Sequence, residues 1–400
     1  MASTLPTLAP ELIDIIASNL ERTDLFALRL VCKIVSLKAF HSFGRECFNK
    51  IQTDLSYKGL QQLTEISKHE GLRHQVQSLL IRGGPGKLGQ GFNWTRHTSG
   101  HLVFPSPGFD QLRSILLNLT NCRSFQVYPG RQTECFDEPK DLRPSDAVAI
   151  VLRIIFETAS PVRSLCVTFS TYGEFTIDAR QLRFLRDQGP KFISRWAHGQ
   201  DLFLEHTLSP GIVDSATGLV LRNKDLHKLH IESYNDEYSV LFINRLCSAD
   251  TLPRLQSLSL DIITIPGEIL SKFILRFGDS LHDLSLKYLF LENGTWASVF
   301  AGCHTRFPLL ERISFTHLYE AGSRKIPVMF PAIGKNPVVP GTDGCKFKFS
   351  VFHTGPLVGA TYEGPQIDTA FKMLAKLAVN YGTKSKNARQ KLLKELCSIP

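Results

Sequence analysis

The chain lacks most of the features that announce a chemistry. No segment of its 400 residues approaches the ~20 consecutive apolar residues of a membrane-spanning helix. The first thirty residues have no basic start followed by an unbroken apolar run, so a secretory signal is not expected. Nine cysteines, at 32, 47, 122, 135, 166, 247, 303, 345 and 397, are odd in number and scattered, and none forms a Cys-x-x-Cys pair. That spacing offers neither a zinc site nor a dithiol, and scattered cysteines usually behave as small buried hydrophobes. These absences predict a protein of a reducing compartment, cytoplasmic or nuclear, with no membrane association. Three Asn-x-Thr acceptors, at Asn93, Asn118 and Asn293, carry no meaning without secretion.

Near-motifs fail on inspection. Gly84-Pro-Gly86-Lys-Leu-Gly89 matches a dinucleotide fingerprint, but Gln90-Gly91-Phe92-Asn93 cannot open the helix whose amides would receive the pyrophosphate. Leu88 stands where a phosphate loop needs a hydroxyl for magnesium. His227 and His230 flank a predicted strand so that their rings project to opposite faces. His97 and His101 have no acid close in sequence, Gly-x-Ser-x-Gly does not occur, and Asp137-Glu138 and Asp236-Glu237 read as solvated turns. No cofactor, no metal and no catalysis are expected.

The apolar fraction, 43%, is ample for a large core, and the length corresponds to two or three domains at ~150 residues each. The net charge of +9 is unevenly placed. Between Phe371 and Pro400 seven basic residues face one acid, Glu395. A solvated helix face or a contact for an acidic partner both fit this tail. With no aromatics among its last lysines, a nucleic-acid role by stacking is not expected.

What is present begins at Leu5. Leu12, Ile13, Ile15, Ile16 and Leu20 recur at helical spacing and predict a helix over about 10–20. Leu25, Leu28, Leu30, Val31 and Val35 predict a second over about 24–40, capped by Thr23 or Asp24. Apolar residues fall off the main stripe of each helix, so one partner face cannot cover them and a second surface is implied. At these residues the chain resembles an F-box. Leu8, Glu11, Leu12, Ile13, Ile15, Ile16, Leu20, Asp24, Leu25, Leu28, Arg29, Val31, Cys32 and Lys33 fit that pattern, over about a tenth of the chain. Ala9 sits where the family's proline usually lies, with Pro10 one place later, and the aromatic that often follows the Cys-Lys pair is missing. The resemblance implies docking to a Skp-type adaptor of a cullin ubiquitin ligase through Leu8, Pro10, Leu12, Ile15, Leu20, Leu25, Leu28, Val31 and Cys32. A plain helical hairpin is the alternative.

The middle of the chain repeats a loose Leu-x-x-Leu-x-Leu signature: Val76/Leu79/Ile81, Cys122/Phe125/Val127, Val162/Leu165/Val167, Leu226/Leu229/Ile231, Leu255/Leu258/Leu260, Leu281/Leu284/Leu286 and Leu310/Ile313/Phe315. The last four begin 29, 26 and 29 residues apart, while the earlier gaps of 46, 40 and 64 need insertions. Apolar-periodic stretches at about 109–119, 146–158, 238–248, 267–276 and 295–302 precede signatures, so strand and helix alternate. This resembles an irregular leucine-rich repeat, and implies an α/β fold: an N-terminal helical F-box followed by a solenoid of parallel strands with outer helices. The family's Asn or Cys after each strand is replaced by Tyr234, Ile263, Leu289 and Leu318, which cannot form its hydrogen-bonded ladder. A non-repetitive α/β domain is the alternative.

Punctuation divides the chain into a helical module over 1–45, a helical linker over 46–75, a repeat region over 76–320, a Pro/Gly-rich loop and late strand over 321–365, and a basic helix or tail over 366–400, whose helix would cover the end of the array. Strand alternation turns Lys228, His230, Glu232, Ser259, Asp261, Asp283, Lys287 and Arg312 away from the core. They are the candidate target-binding face, or plain solvated surface. The expected function is the substrate-recognition subunit of a Skp/cullin/F-box ligase that bridges the adaptor and an unknown target protein. A ligase-independent repeat scaffold, its N-terminal helices merely capping the array, is the competing expectation, and a hydrolase with dispersed catalytic residues ranks below both.

Overall fold

All seven apolar signatures become strands, because each places alternate side chains on one face where neighbouring strands can share them. The computed structural model describes residues 5–83, 88–98, 100–128, 142–158, 161–168, 199–205, 212–233, 236–303, 307–320, 328–329, 338–345, 347–351 and 357–380. The chain forms two compact units, Met1–Phe175 and Thr176–Pro400. Its architecture is α/β, with mostly parallel strands. The basic tail beyond Asn380, most of the Pro/Gly-rich loop and the Gly84–Lys87 part of the glycine motif lie outside the described residues.

In the first unit a short 3-10 turn (Leu5–Thr7) leads to helices α1 (Pro10–Ser18), α2 (Arg22–Val31), α3 (Lys33–Lys38) and α4 (Phe40–Phe48). There follow β1 (Lys50–Thr53), α5 (Tyr57–Lys68), α6 (Glu70–Arg73), β2 (Ser78–Arg82), α7 (Pro107–Asn118), β3 (Ser124–Tyr128), α8 (Pro144–Thr158) and β4 (Ser164–Thr168). The strands pair in parallel in that order. β1 lies within the span read as a linker. Its Lys-Ile-Gln-Thr sequence lacks the signature, and it is a strand because Ile51 and Thr53 bury one face beside Leu79 and Ile81 of β2.

The expected single helix over 24–40 is broken. Cys32 is fully extended (φ −164°, ψ 165°), so α2 ends and α3 turns back. The break lets Leu25 and Leu28 of α2 and Val35 of α3 reach one core, which a straight helix could not achieve over that length. α2 also starts earlier than expected: Thr23 and Asp24 lie inside its first turn and neither caps it, although Asp24 there suits the positive end of the helix dipole.

Between β2 and α7 the described residues 88–98 and 100–106 pack onto the unit. Leu88 and Trp94 are buried, and Gly89 N–H donates to Asp54 O at 2.9 Å. The Trp94 indole donates to Gly89 O at 2.8 Å. Gly89 is left-handed (φ 71°), and a Cβ there would lie 2.5 Å from Trp94 Nε1 and from Leu142 Cδ1, so only glycine fits. Arg96 pairs with Leu102 across a short bridge and donates to Asp146 on α8 through Nη1 and Nη2, at 3.2 and 2.5 Å.

The second unit runs β5 (Asp201–Glu205), α9 (Val213–Leu221), β6 (Lys228–Glu232), α10 (Asp236–Ser248), β7 (Ser257–Asp261), β8 (Thr264–Ile265), α11 (Gly267–Leu275), β9 (Asp283–Lys287), β10 (Phe290–Leu291), α12 (Trp296–Cys303) and β11 (Arg312–Thr316). It ends with β12 (Val328–Met329), β13 (Lys348–Val351), β14 (Leu357–Glu363), α13 (Ile367–Leu377) and β15 (Val379–Asn380). β5, β6, β7, β9 and β11 are parallel and in register, so Leu229, Leu258, Leu284 and Ile313 form one fully buried row and Ile231, Leu260, Leu286 and Phe315 the next. Each such side chain withdrawn from water contributes roughly 1.5–3 kcal/mol.

After three of these strands the chain makes the same strained turn. Ile262, Tyr288 and His317 are all left-handed, with φ of 53°, 47° and 52°, a conformation costing ~1–2 kcal/mol for a residue with a Cβ. The turn drops Ile263, Leu289 and Leu318 into the core, so an apolar ladder occupies the place of a hydrogen-bonded one. Backbone bonds from Ile262 N to Lys287 O (3.1 Å) and from Tyr288 N to Thr316 O (2.8 Å) hold it. Stacked rings of Tyr288 on His317 (4.5 Å) and Phe290 on Tyr319 (4.3 Å) add to it.

Antiparallel β14 ends the parallel series by pairing with β11, and β13 pairs with β14. α13 packs on α12, and Phe371 sets its ring 5.9 Å from Phe307 and 6.3 Å from Phe315. Phe371→Ala is expected to destabilise this unit by about 3–5 kcal/mol in urea unfolding. A loss below ~1 kcal/mol would show that the helix is not needed to cover the core.

Candidate functional site

The N-terminal helices divide their apolar residues between an inner and an outer set. Ile13, Ala17, Leu25, Leu28, Val35, Ala39 and Phe43 make a small core of their own, with Leu5, Leu8, Leu20, Cys32, Cys47 and Phe48 packed around it. Polar bonds lock the helices together. Lys38 Nζ donates to the carbonyls of Pro6 (2.9 Å) and Leu8 (2.6 Å), satisfying the chain just ahead of α1. Asp14 Oδ1 accepts from the Ser42 hydroxyl at 2.6 Å and from its amide at 3.1 Å, which joins α1 to the start of α4. The Arg29 guanidinium lies 3.7 Å from the Phe43 ring centre and donates through Nε to Ser36 Oγ at 3.3 Å, bracing the break between α2 and α3.

The outer set is unusual. Eight of the fifteen large apolar side chains exposed among the described residues lie between Leu12 and Leu37, a small fraction of the chain. Leu30 is 85% exposed and Leu37 67%. Single exposed hydrophobes need no explanation, but a concentration of this kind marks an interaction surface. It spreads over α1, α2 and α3.

Of the residues assigned to adaptor docking, Pro10, Leu12, Ile15 and Val31 are exposed, Leu8, Leu20 and Cys32 are half-buried on the module's core, and Leu25 and Leu28 are inside it. The last two are corrected: the break at Cys32 folds them against Val35, so they build the surface without forming it. Ile16, Phe26, Leu30, Ile34 and Leu37 are exposed instead. Leu25→Asp therefore cannot probe docking. Replacing this fully buried leucine with a charge is expected to destabilise the first unit by more than ~3 kcal/mol, measured by thermal unfolding. A near-neutral result would mean that the module repacks around it. Leu28 belongs to this local core, and Leu20 packs against it.

The candidate target residues do come together on one face of the second unit. Register aligns Lys228, Ser257, Asp283 and Arg312 in one row, His230, Ser259, Ser285 and Ser314 in the next, and Glu232, Asp261, Lys287 and Thr316 in the third. Arg312 bridges Asp283 (3.5 Å) and Glu363 (3.1 Å), and His230 Nε2 lies 3.8 Å from Glu232. Burial, with Glu232 beside it, pushes the Asp261 carboxyl up to about 6, against the pull of His230 and Lys287. A raised acid pKa favours the folded state when the group is protonated, and that contribution is lost as pH rises through the unfolded value of ~3.9 towards 6. Asp261→Asn is therefore expected to raise the melting temperature at neutral pH, with the gain vanishing near pH ~4. A gain independent of pH would assign the effect to packing.

Among the described residues there is no group of three or more side chains arranged to hold a metal ion, and no helix is long and apolar enough to cross a membrane. His97 and His101 stack face to face, 4.9 Å apart, rather than converging on a point. No family model matches the chain, and no curated protein matches its sequence.

Proposed function

We propose that this chain is a non-catalytic, two-ended adaptor: a substrate-recognition subunit of a Skp/cullin/F-box ubiquitin ligase. The observation that carries the reading is the concentration of exposed apolar side chains on α1–α3, in the segment whose sequence resembles an F-box. Two roles are separated there. Ile13, Leu25 and Leu28 hold the helices together, and Leu12, Ile15, Leu30, Val31, Ile34 and Leu37 are left for a Skp-type partner. A surface of this apolarity is covered most economically by a helical partner with a matching apolar groove. The strand face of the second unit would hold the target protein. Its mixed charges and hydroxyls, Lys228, Glu232, Ser259, Asp261, Asp283 and Arg312, suit a polar protein surface rather than a small molecule. Function then follows from proximity, since tethering a target beside a ligase raises its effective concentration without any reaction on this chain.

Co-expression with a Skp-type adaptor tests the reading. The full chain is expected to be recovered as a stable complex, and a chain lacking residues 1–48 is expected not to be. The cut is placed after α4 because that helix belongs to the module's core. Failure of a folded full chain to capture the adaptor would favour a ligase-independent scaffold.

A further inference from the structure

The strand face of the first unit carries a charge pattern different from that of the second. Register sets Lys50 beside Ser78, Ser124 and Ser164 in one row across β1–β4. Immediately before β3 and β4 stand Arg123 and Arg163, both exposed and linked by a backbone bond from Arg163 N to Arg123 O at 2.7 Å. Arg82 is exposed at the far end of β2, with its guanidinium 5.8 Å from the centre of the Tyr128 ring. Lys50 Nζ reaches past β2 to Gln126 Oε1 at 2.7 Å, so its charge lies over the middle of the face. Every described aspartate and glutamate of this unit lies on a helix or in a connecting loop, and none stands on a strand. The second unit, by contrast, interleaves Asp283, Glu232 and Asp261 with its cations on the same kind of surface.

Among the described residues the strands of this unit carry charge of one sign, with hydroxyl and amide groups between, and such a surface repels cations and recruits anions. We propose that the strand face of the first unit is a docking surface for an acidic, extended peptide segment of a partner protein, its carboxylates set against Lys50, Arg82 and Arg123. The dimensions suit such a segment. Arg123 and Arg82 lie about five residues apart along the strands, or ~16 Å, and carboxylates on alternate residues of an extended chain repeat every ~6.6 Å. The Gln52 and Gln126 amides in the middle row and the Ser124 and Ser164 hydroxyls beside Lys50 can both donate to and accept from peptide groups. Single-stranded nucleic acid is the less suited anion, because stacking requires a series of rings and Tyr128 is the one aromatic among the described strand-face residues here. The inference goes beyond the adaptor reading and does not rest on it.

The test is fluorescence anisotropy on the full chain. The probes are a labelled peptide of about twelve alternating Glu and Ser residues and an oligothymidine of similar charge, at ~20 and ~200 mM salt. Arg82→Glu/Arg123→Glu is compared with Lys58→Glu/Lys68→Glu, an equal charge change at exposed sites on α5. The peptide is expected to bind in a salt-sensitive manner. The strand-face variant should weaken it about tenfold or more and the helix variant less than about twofold, since one decade corresponds to two modest ion pairs. Arg82→Gln/Arg123→Gln, expected to weaken binding about threefold or more, decides the matter if charge reversal prevents folding. No saturable peptide binding, equal losses in the strand-face and helix variants, or tighter binding of the oligothymidine would each overturn the proposal. Adaptor capture is read in a separate assay, so the two proposals fail independently.

Discussion

Leu30→Asp combined with Leu37→Asp is expected to abolish capture of a Skp-type adaptor while leaving the chain as stable as the parent. Both side chains are mostly in water already, so their loss removes little from the core, and surface changes of this kind typically shift stability by less than ~0.5 kcal/mol per site. In a complex the balance differs. Burying each leucine against a partner contributes roughly 1.5–3 kcal/mol, and an aspartate in its place must also be desolvated. The two together predict a loss of affinity of about a hundredfold or more, measured by titration calorimetry with purified adaptor. Equal loss of binding and of melting temperature would mean that these residues pack inward. Unchanged binding would remove α2 and α3 from the interface.

A large loss of stability is also expected on removing Asp146. Its carboxylate is fully buried at the start of α8, where it accepts from Arg96 and, at 2.7 Å, from the backbone amide of Arg143. Burial pushes its pKa up, while the paired Arg96 guanidinium works in the opposite direction. The fork of Arg96 engages both carboxylate oxygens and offsets part of the cost of burial. Removing one member leaves the other buried and uncompensated. Asp146→Ala should thus cost about 3–5 kcal/mol, read as a fall in urea midpoint. Replacing both partners, as Arg96→Met with Asp146→Leu, should recover most of that loss, because the desolvation penalty of both charges disappears with them. A double variant no more stable than Asp146→Ala would show that the pair also fixes the insertion between β2 and α7 in a way apolar groups cannot.

How much of this was legible in the sequence depended on the length over which a pattern repeats. The alternation at Leu226/Leu229/Ile231 and its relatives marked strands correctly because buried parallel strands demand the same three apolar positions each time. Helices such as α8 and α11 follow from the apolar periodicity over about 146–158 and 267–276. β1 has no sequence signal, because three of its four residues are polar and no apolar alternation shows; only its pairing with β2 makes it a strand. β14 was missed because antiparallel closure needs no apolar signature. The N-terminal surface was read in part. Helical spacing identifies which residues are apolar, but inside and outside are set by the reversal at Cys32, whose extended conformation has no marker such as glycine or proline. Spacing alone therefore does not tell that Leu25 and Leu28 face inward while Leu30, Ile34 and Leu37 face outward. The Arg96–Asp146 pair joins residues fifty positions apart, a relation no local pattern expresses.

Hydrogen exchange of the full chain with and without a Skp-type adaptor would test the central claim most directly. The account predicts new protection confined to α1–α3, strongest over Leu12–Ile16 and Leu30–Leu37, with the strand faces of both units unchanged. Protection on the strands instead, or none on the helices at saturating adaptor, would contradict it.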